Sequence, residues 1–136
     1  MRGRKGSRKL EEKTIPQLQN TLWDVFAKYI KTLHAPQCYT CDKPIRMGTG
    51  DCQAGHFIPR NYSPTKYEED NVRPQCSRCN QYFSGKPVEF ERRLRDEIGD
   101  EAVEALKRKS TQPWKWSRTY LITKITYYRE QLKEAG

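Results

Sequence analysis

The chain has 136 residues, in which 26 lysines and arginines against 17 aspartates and glutamates give a formal net charge of +9 at pH 7. This length suits one ordinary domain and is too short for two, and the excess of positive charge favours a polyanionic partner such as nucleic acid. No run of about 18 apolar residues is present, which excludes a transmembrane helix, and the basic N-terminus lacks the apolar segment of a secretory signal, so we expect a cytoplasmic protein.

The positive charge is concentrated at the two ends of the chain. Residues 1–14 carry six basic side chains against two glutamates, and residues 113–136 carry five against two. We expect residues 1–13 to form a flexible basic arm, which either is a solubilising tail or contacts DNA phosphates. The arm's candidates for DNA contact are Arg2, Arg4, Lys5, Arg8 and Lys9.

The first helix is predicted directly after this arm. The sequence Thr14-Ile-Pro-Gln17 is typical of a capping box with proline in the first turn. Apolar residues follow at spacings of three and four, and Ala35-Pro36 then ends the pattern. These signals predict an amphipathic helix over 15–34.

Helical periodicity is lost after this helix and returns near Pro87. In between, proline, glycine, asparagine and cysteine interrupt the sequence, so short strands and loops are expected there. Three further helices are predicted, at about 87–98, 100–109 and 117–134. We therefore predict an α+β protein in which residues 14–136 form a single domain.

Two Cys-x-x-Cys pairs lie in the middle segment, Cys38-Tyr-Thr-Cys41 and Cys76-Ser-Arg-Cys79. Each pair can present two thiolates from a tight turn, and two such pairs complete the tetrahedral four-sulfur site that suits zinc. A redox pair or isolated buried thiols are the alternatives, but an odd total of five cysteines and the lack of a βαβ pattern favour metal binding. Such a site is structural and would stabilise a segment with little apolar core. Cys52 is predicted to be a small core residue in or near a strand.

One of the two histidines, His56, lies between the cysteine pairs in "QAGHF", residues 53–57. Asn71 and Asn80 follow in "NVRPQCSRCNQYFSGKPVEF", residues 71–90. Taken singly, each of these three side chains would be a surface, capping or core residue. Their grouping inside a basic protein with a zinc site favours a shared functional site.

This arrangement resembles the HNH, or ββα-metal, nucleases, and more closely the phage NinG/Rap recombination proteins, over about residues 36–135. The resemblance implies a zinc-stapled ββα-metal core at about 36–90, flanked by helices at both ends. It also implies a divalent-metal-dependent DNA endonuclease that acts on branched intermediates of phage recombination, such as Holliday junctions or displacement loops. We expect such a protein in the cytoplasm of the bacterial host, with other phage recombination proteins as partners. A homodimer is a sensible expectation, because symmetric cleavage of a junction needs two active sites.

In phosphodiester hydrolysis, His56, Asn71 and Asn80 would each have a different role. A histidine whose pKa is near neutrality suits the general base that activates water, and we assign this role to His56. The resemblance implies that Asn71 orders the loop facing His56. It also implies that Asn80 is a ligand of a catalytic divalent ion, Mg²⁺ or Mn²⁺.

The chain departs from many HNH nucleases at the position before the histidine. Those enzymes place an acidic metal ligand there, and this chain has Gly55, which cannot ligate through a side chain. Asp51 is the nearest acidic residue and Gln53 is nearer still. His56 would itself be the second ligand if another group were the base.

Three further arginines are candidates for phosphate contact. Arg60 follows His56 by four residues, Arg73 precedes the second cysteine pair and Arg78 lies within it; otherwise each is a solvated side chain. Two other functions stay open on this sequence. One is a non-catalytic zinc module that binds DNA or a recombination protein, and the other is a sequence-specific HNH endonuclease.

Overall fold

The structure, a computed structural model, describes residues 9–135 and contains four α-helices and one two-stranded sheet there. The helices are α1 (Ile15–His34), α2 (Pro87–Ile98), α3 (Asp100–Ser110) and α4 (Arg118–Ala135), and the strands are β1 (Gln53–His56) and β2 (Val72–Gln75). All four helices lie within one residue of their predicted bounds. Within the described residues, no helix combines the length and the apolar character needed to cross a membrane.

A capping box starts α1, as the sequence predicts. The backbone N–H of Thr14 donates to Oε1 of Gln17 (2.9 Å), and the N–H of Gln17 donates to Oγ1 of Thr14 (3.3 Å). The inward face of the helix consists of fully buried residues four apart: Leu18, Leu22, Phe26 and Ile30. This spacing places them on one stripe of the helix, which is how an amphipathic helix contributes to a core.

The described chain divides into two compact units. One consists of the residues up to Phe26 together with those from Lys115 onward, and the other is Ala27–Trp114. Helix α1 contributes residues to both. A single domain over 14–136 stays a prediction.

In the first unit, Arg118 holds the segment that precedes α1. Its guanidinium donates to the carbonyl oxygens of Lys13 (2.5 Å), Glu11 (2.7 Å) and Leu10 (3.3 Å). The flexible arm expected over 1–13 is therefore too long at its C-terminal end. Residues 10–13 are tied down, because one arginine satisfies three of their backbone carbonyls.

In the second unit, β1 and β2 form an antiparallel pair that sets His56 opposite Val72 and Gly55 opposite Arg73. Helices α2 and α3 form a separate core through three fully buried residues, Phe90, Leu94 and Val103. Gly99 lies between these helices with φ at 91°, a left-handed conformation that favours glycine, and it ends α2 as predicted.

A second core cluster of this unit is built from sulfur rather than from large apolar side chains. Ile45 and Cys52 are buried there with three of the cysteines from the Cys-x-x-Cys pairs. The fold is thus a mixture of helices, one small sheet and a cysteine cluster. A ββα-metal core stays a prediction.

Candidate metal centre and histidine site

The four cysteines of the two Cys-x-x-Cys pairs converge. All four sulfur atoms lie within 4.8 Å of one another, and those of Cys41 and Cys76 are 3.8 Å apart. Tetrahedral zinc with Zn–S bonds of about 2.3 Å places its sulfur ligands about 3.8 Å from one another. The predicted convergence is confirmed, and the cluster fits a metal ion such as zinc. Its members are Cys38, Cys41, Cys76 and Cys79.

Two tight turns aim these sulfurs at a common centre. In the first turn, the N–H of Cys38 donates to the carbonyl of Lys43 (2.8 Å), and the N–H of Asp42 donates back to the carbonyl of Cys38 (2.9 Å). In the second turn, which follows β2, the N–H of Cys79 donates to the sulfur of Cys76 (3.4 Å). Protein sulfur would fill all four positions of a tetrahedral ion, so the ion would be structural.

Hydrogen bonds to sulfur favour ionised Cys38. Burial opposes the charged form, but the backbone N–H of Cys76 and the hydroxyl of Thr40 outweigh it and lower the pKa of Cys38 to about 6. Burial raises the pKa of Cys79 to about 12. Metal ligation requires thiolates, so binding of an ion at this cluster would displace protons from sulfur.

Asp51 joins the two cysteine turns. Its Oδ1 accepts hydrogen bonds from the backbone N–H and the hydroxyl of Ser77, both at 3.0 Å, and its Oδ2 pairs with Lys43 at 2.8 Å. The hydrogen bond from Lys43 and those from Ser77 lower the pKa of Asp51 to about 2. Both carboxylate oxygens thus have partners within the cysteine turns, and a role for Asp51 as a ligand of the catalytic ion stays a prediction.

Cys52 lies beside the four sulfurs but is not one of them. It is buried in the same cluster, directly before β1, which agrees with its prediction as a core residue. Burial raises the pKa of its thiol. Cys52 is therefore a neutral packing residue next to the metal-binding group.

A backbone carbonyl orients His56 at the end of β1. The Nε2 atom of its ring lies 2.9 Å from the carbonyl oxygen of Lys66. Because a carbonyl only accepts, Nε2 carries the proton of the neutral ring and Nδ1 carries the lone pair. Burial, aided by the positive charges of Arg60 and Lys66, lowers the pKa of His56 against the effect of the Lys66 carbonyl. The ring is therefore mostly neutral at pH 7.

Asn71 closes the loop that carries this carbonyl. The side chain is fully buried; its Oδ1 accepts from the N–H of Ile58 (2.7 Å), and its Nδ2 donates to the carbonyls of Ile58 (2.9 Å) and Thr65 (3.0 Å). Both polar atoms are thus committed inside the loop. The Asn71 side chain therefore holds this loop together, and a part for it in catalysis stays a prediction.

Asn80 lies over the sheet at Gly55. Its Nδ2 donates to Oε1 of Gln53 (2.8 Å), and a Cβ added to Gly55 would lie 3.0 Å from its Oδ1. Asn80 belongs to a π-helix, Arg78–Tyr82, a rare element that occurs often at functional sites. Side chains alternate along a strand, so Asn80 is on the Gly55 side of β1 and His56 points to the other side.

Gln75 belongs to this site and was missed from the sequence. Its fully buried side chain donates from Nε2 to the hydroxyl of Thr40 (3.0 Å) and the carbonyl of Gly85 (2.9 Å). Its Oε1 lies over Gly55, 1.8 Å from where a Cβ would be, and has no hydrogen-bond partner in the described chain. The side-chain oxygens of Gln75 and Asn80 therefore both face Gly55. Glycine inside a strand was the available signal, because it often marks a close approach by another group.

Burial of Arg73 contradicts its predicted contact with DNA. Its side chain is 3% exposed and donates to the carboxylate of Glu97 (3.3 Å) and to the carbonyls of Glu69 (2.5 Å) and Val72 (2.9 Å). The guanidinium also lies over the ring of Tyr39, 5.4 Å from its centroid. Arg73 is on β2, whose residues are all buried, so the guanidinium supports the sheet and is not available to phosphate.

Some of the other residues predicted to contact DNA are exposed in the structure, and some lie outside the described residues. Arg60 and Arg78 are exposed in the second unit, and Lys9 is exposed in the first, so these three stay candidates. The remaining basic side chains of the arm lie outside the described residues: Arg2, Arg4, Lys5 and Arg8.

Comparison with known proteins places these features in a family. A family model described as the bacteriophage Lambda NinG protein matches residues 1–136. Two curated relatives, each named Protein ninG and found in Escherichia phage 933W and Enterobacteria phage VT2-Sa, are 26% identical to the chain over 98 residues. The aligned part covers 71% of this chain and 47% of each relative, so the chain spans about half the length of these relatives. No solved structure matches the chain.

Proposed function

This chain belongs to the bacteriophage lambda NinG family, and we propose that it is a divalent-metal-dependent DNA endonuclease of the HNH type. The observation that carries the proposal is the end of β1, where a neutral His56 lies on one side of the strand and the side-chain oxygen of Asn80 lies over Gly55 on the other. The net charge of +9 suits a polyanionic substrate. The resemblance favours branched DNA formed in phage recombination, cleaved in the cytoplasm of the bacterial host.

His56 is the general base of the proposed reaction. The Lys66 carbonyl fixes the ring, and Nδ1 accepts a proton from the attacking water. The water oxygen forms a bond to phosphorus, the bond from phosphorus to the 3′ oxygen breaks, and the 3′ oxygen leaves. In-line displacement places the attacking and leaving oxygens on opposite sides of phosphorus. His56 and Asn80 lie on opposite sides of β1, which suits a phosphate bound across the end of that strand.

Asn80 and Gln75 would supply the protein oxygens for the catalytic ion, Mg²⁺ or Mn²⁺. Both oxygens face Gly55, and that of Gln75 lacks a hydrogen-bond partner in the described chain. Mg²⁺ commonly takes few protein ligands and completes its shell with water and substrate phosphate. When bound, such an ion polarises the phosphate and stabilises the leaving oxygen. His56 itself is better suited to the base role, since its Nε2 is engaged by Lys66.

A second candidate function is a non-catalytic zinc module that binds DNA or a recombination protein. Gly55 favours it, because the position that carries an acidic ligand in many HNH nucleases has no side chain here. Within residues 9–135, the four-cysteine cluster is the only grouping of three or more cysteine, histidine or acidic ligands. Both functions use the cluster and the positive charge, so cleavage itself must separate them.

The test is incubation of the full chain with supercoiled plasmid and with four-way junctions of unrelated sequence. We expect nicking with Mg²⁺ or Mn²⁺, none without added divalent ion, and nicking slowed by about 10²- to 10⁴-fold in the His56→Ala variant. His34→Ala, which removes the other histidine, is the matched control and should cleave like wild type. Zinc content and DNA binding are measured for each protein, so that loss of folding is not read as loss of catalysis.

The possible outcomes separate the candidates. DNA binding without cleavage by the wild type would favour the non-catalytic module. Cleavage by His56→Ala at the wild-type rate would overturn the assignment of the base. Cleavage that depends on one sequence and not on the junction would favour a sequence-specific HNH enzyme.

A further inference from the structure

An exposed aromatic and basic surface lies at the end of the π-helix that carries Asn80. Tyr82 is 86% exposed and Phe83 is 46% exposed, although large aromatic side chains are normally covered. With Ser77 and Arg78 they line an open pocket of about 390 Å³, within the usual range of about 300–1,000 Å³ for ligand sites. Lys86 reaches the ring of Phe83, and we call Arg78, Tyr82, Phe83 and Lys86 the Tyr82 surface.

Two cations of the Tyr82 surface are placed on one of its rings. The guanidinium carbon of Arg78 lies 5.6 Å from the centroid of Phe83, and Nζ of Lys86 lies 5.0 Å from it. Cation–π contacts of this kind hold long side chains near an aromatic face. Phe83 thus positions the two charges, and the more exposed ring of Tyr82 is left for a ligand.

The backbone presents these rings through an unusual turn. Ser84, Gly85 and Lys86 have φ values of 53°, 85° and 51°, so two non-glycine residues adopt the left-handed conformation. Such residues persist where the surrounding structure over-determines them, and they cluster at binding sites. The N–H of Gly85 donates to the carbonyl of Cys79 (2.8 Å), which ties the turn to the second cysteine pair.

The charge around the Tyr82 surface favours nucleic acid over protein as its partner. Exposed aromatic residues beside arginine also occur in protein interfaces. However, the sequence from Asn71 to Val88 contains no acidic residue, and the chain as a whole carries a net charge of +9. A polyanion with flat apolar groups, which is nucleic acid, matches both the rings and the charge.

We propose that the Tyr82 surface binds an unpaired nucleotide of the DNA substrate, with Tyr82 stacked on the base and Arg78 and Lys86 on neighbouring phosphates. Both faces of a base within a duplex are covered by its neighbours, so a tyrosine ring stacks on bases that have left the helix. Tyr82 is two residues from Asn80, which puts the unpaired nucleotide beside the proposed cleavage site. This inference rests on the proposed function and names the DNA feature recognised there.

The experiment measures binding of the full zinc-loaded chain by fluorescence anisotropy, without added Mg²⁺ or Mn²⁺. The probes are a blunt duplex, a forked duplex and a single strand of matched length and composition. The variants are Tyr82→Ala, Tyr82→Phe and the control Tyr62→Ala, since Tyr62 is 42% exposed in the same unit but outside the Tyr82 surface. Equal zinc content in all four proteins establishes that each is folded.

We expect the wild type to bind the fork and the single strand more tightly than the blunt duplex. Tyr82→Ala should weaken binding of the fork and the single strand by about 5- to 150-fold and leave the duplex unchanged. Tyr82→Phe, which keeps the ring, and Tyr62→Ala should behave like wild type.

Other results overturn the inference. Equal losses on all three DNAs would indicate a general effect on charge or folding, and Tyr82→Phe as defective as Tyr82→Ala would indicate a hydroxyl contact instead of stacking. Unchanged DNA binding by Tyr82→Ala would assign the surface to another partner, such as a protein. Fork binding that needs Tyr82 in a chain that never cleaves would refute the endonuclease and keep this inference. Cleavage and fork binding unaffected by Tyr82→Ala would refute this inference alone.

Discussion

The side-chain oxygen of Gln75 lies so close over Gly55 that a Cβ on residue 55 would be 1.8 Å from it. The same side chain donates hydrogen bonds to Thr40, in the first cysteine turn, and to Gly85, in the turn after the π-helix. Gln75 therefore connects three segments of the second unit, and only glycine leaves room for it. The absence of a side chain at residue 55 and the buried carboxamide of Gln75 thus depend on each other.

Gly55→Ala is expected to destabilise the folded protein by about 2–4 kcal/mol. The added Cβ would also lie 2.7 Å from Cδ of Gln75, so this side chain must rotate away and leave its buried hydrogen bonds. Urea unfolding of the zinc-loaded protein measures the loss in free energy of unfolding.

Gly50→Ala is the matched control for this change, because nothing lies within 4 Å of the Cβ it would add. The variant Gly55→Ala/Gln75→Ala should lose less stability than the sum of its single changes, because the second change removes the clash. Additive effects would show that Gln75 is not what excludes a side chain at residue 55.

Zinc is expected to bind once per chain and to be lost on substitution of one cysteine of the cluster. Cys76→Ser removes a sulfur that lies 3.8 Å from that of Cys41 and leaves the fourth position of the tetrahedral ion to a serine or water oxygen, which binds zinc more weakly than a thiolate. Zinc content by atomic absorption and thermal unfolding with and without a chelator measure the effect. Cys52→Ala is the control and should keep its zinc; loss of zinc in that variant would instead make Cys52 a ligand.

The sequence predicts the helices and the cysteine cluster because their signals are local. The capping box of Thr14 and Gln17 lies within four residues and is present as predicted. Each Cys-x-x-Cys turn likewise carries its own geometry, and only the meeting of the two turns requires the fold. Patterns of this kind can be recognised without knowing which residues meet in the folded core.

The roles of Asp51, Arg73 and Gln75 depend on contacts between distant segments. Asp51 caps a turn that begins 26 residues later, at Ser77, and Gln75 reaches Thr40 from 35 residues away. Charge alone suggested a metal ligand at Asp51 and a phosphate contact at Arg73. Burial of Arg73 decides against a phosphate contact, and Asp51 has contacts with Ser77 and Lys43 that its neighbours in the sequence do not reveal.

Substitutions of Arg73 and Arg78 are expected to have different effects: the first lowers stability and the second weakens DNA binding. Arg73→Met should lower the free energy of unfolding by about 2–4 kcal/mol. The change removes a buried guanidinium and leaves the backbone carbonyls that it bonds without a donor. Arg78→Ala should leave stability unchanged, weaken DNA binding and lower the slope of log affinity against log salt by about 1. Weakened DNA binding by a fully folded Arg73→Met variant would contradict the structural role given to Arg73.

Arg118→Ala is expected to release the segment before α1. The variant loses the donor that satisfies the carbonyls of Leu10, Glu11 and Lys13, so this short segment should open more often. Limited trypsin digestion should then cut after Lys13 faster than in the wild type. Arg129→Ala removes an exposed arginine from the same helix and is the control; equal cleavage rates in both variants would mean that Arg118 does not hold the segment.

The assignment of His56 as general base predicts how the cleavage rate depends on pH. Burial, with the nearby charges of Arg60 and Lys66, lowers the pKa of His56 from its ordinary value of 6.5. A general base acts when unprotonated, so single-turnover cleavage should not fall between pH 8 and pH 7 and should decline only on the acid side of about 6.5. His56→Ala should slow cleavage by about 10²- to 10⁴-fold and remove this acid limb. A limb centred well above 6.5, or one that persists in His56→Ala, would assign the titrating group elsewhere.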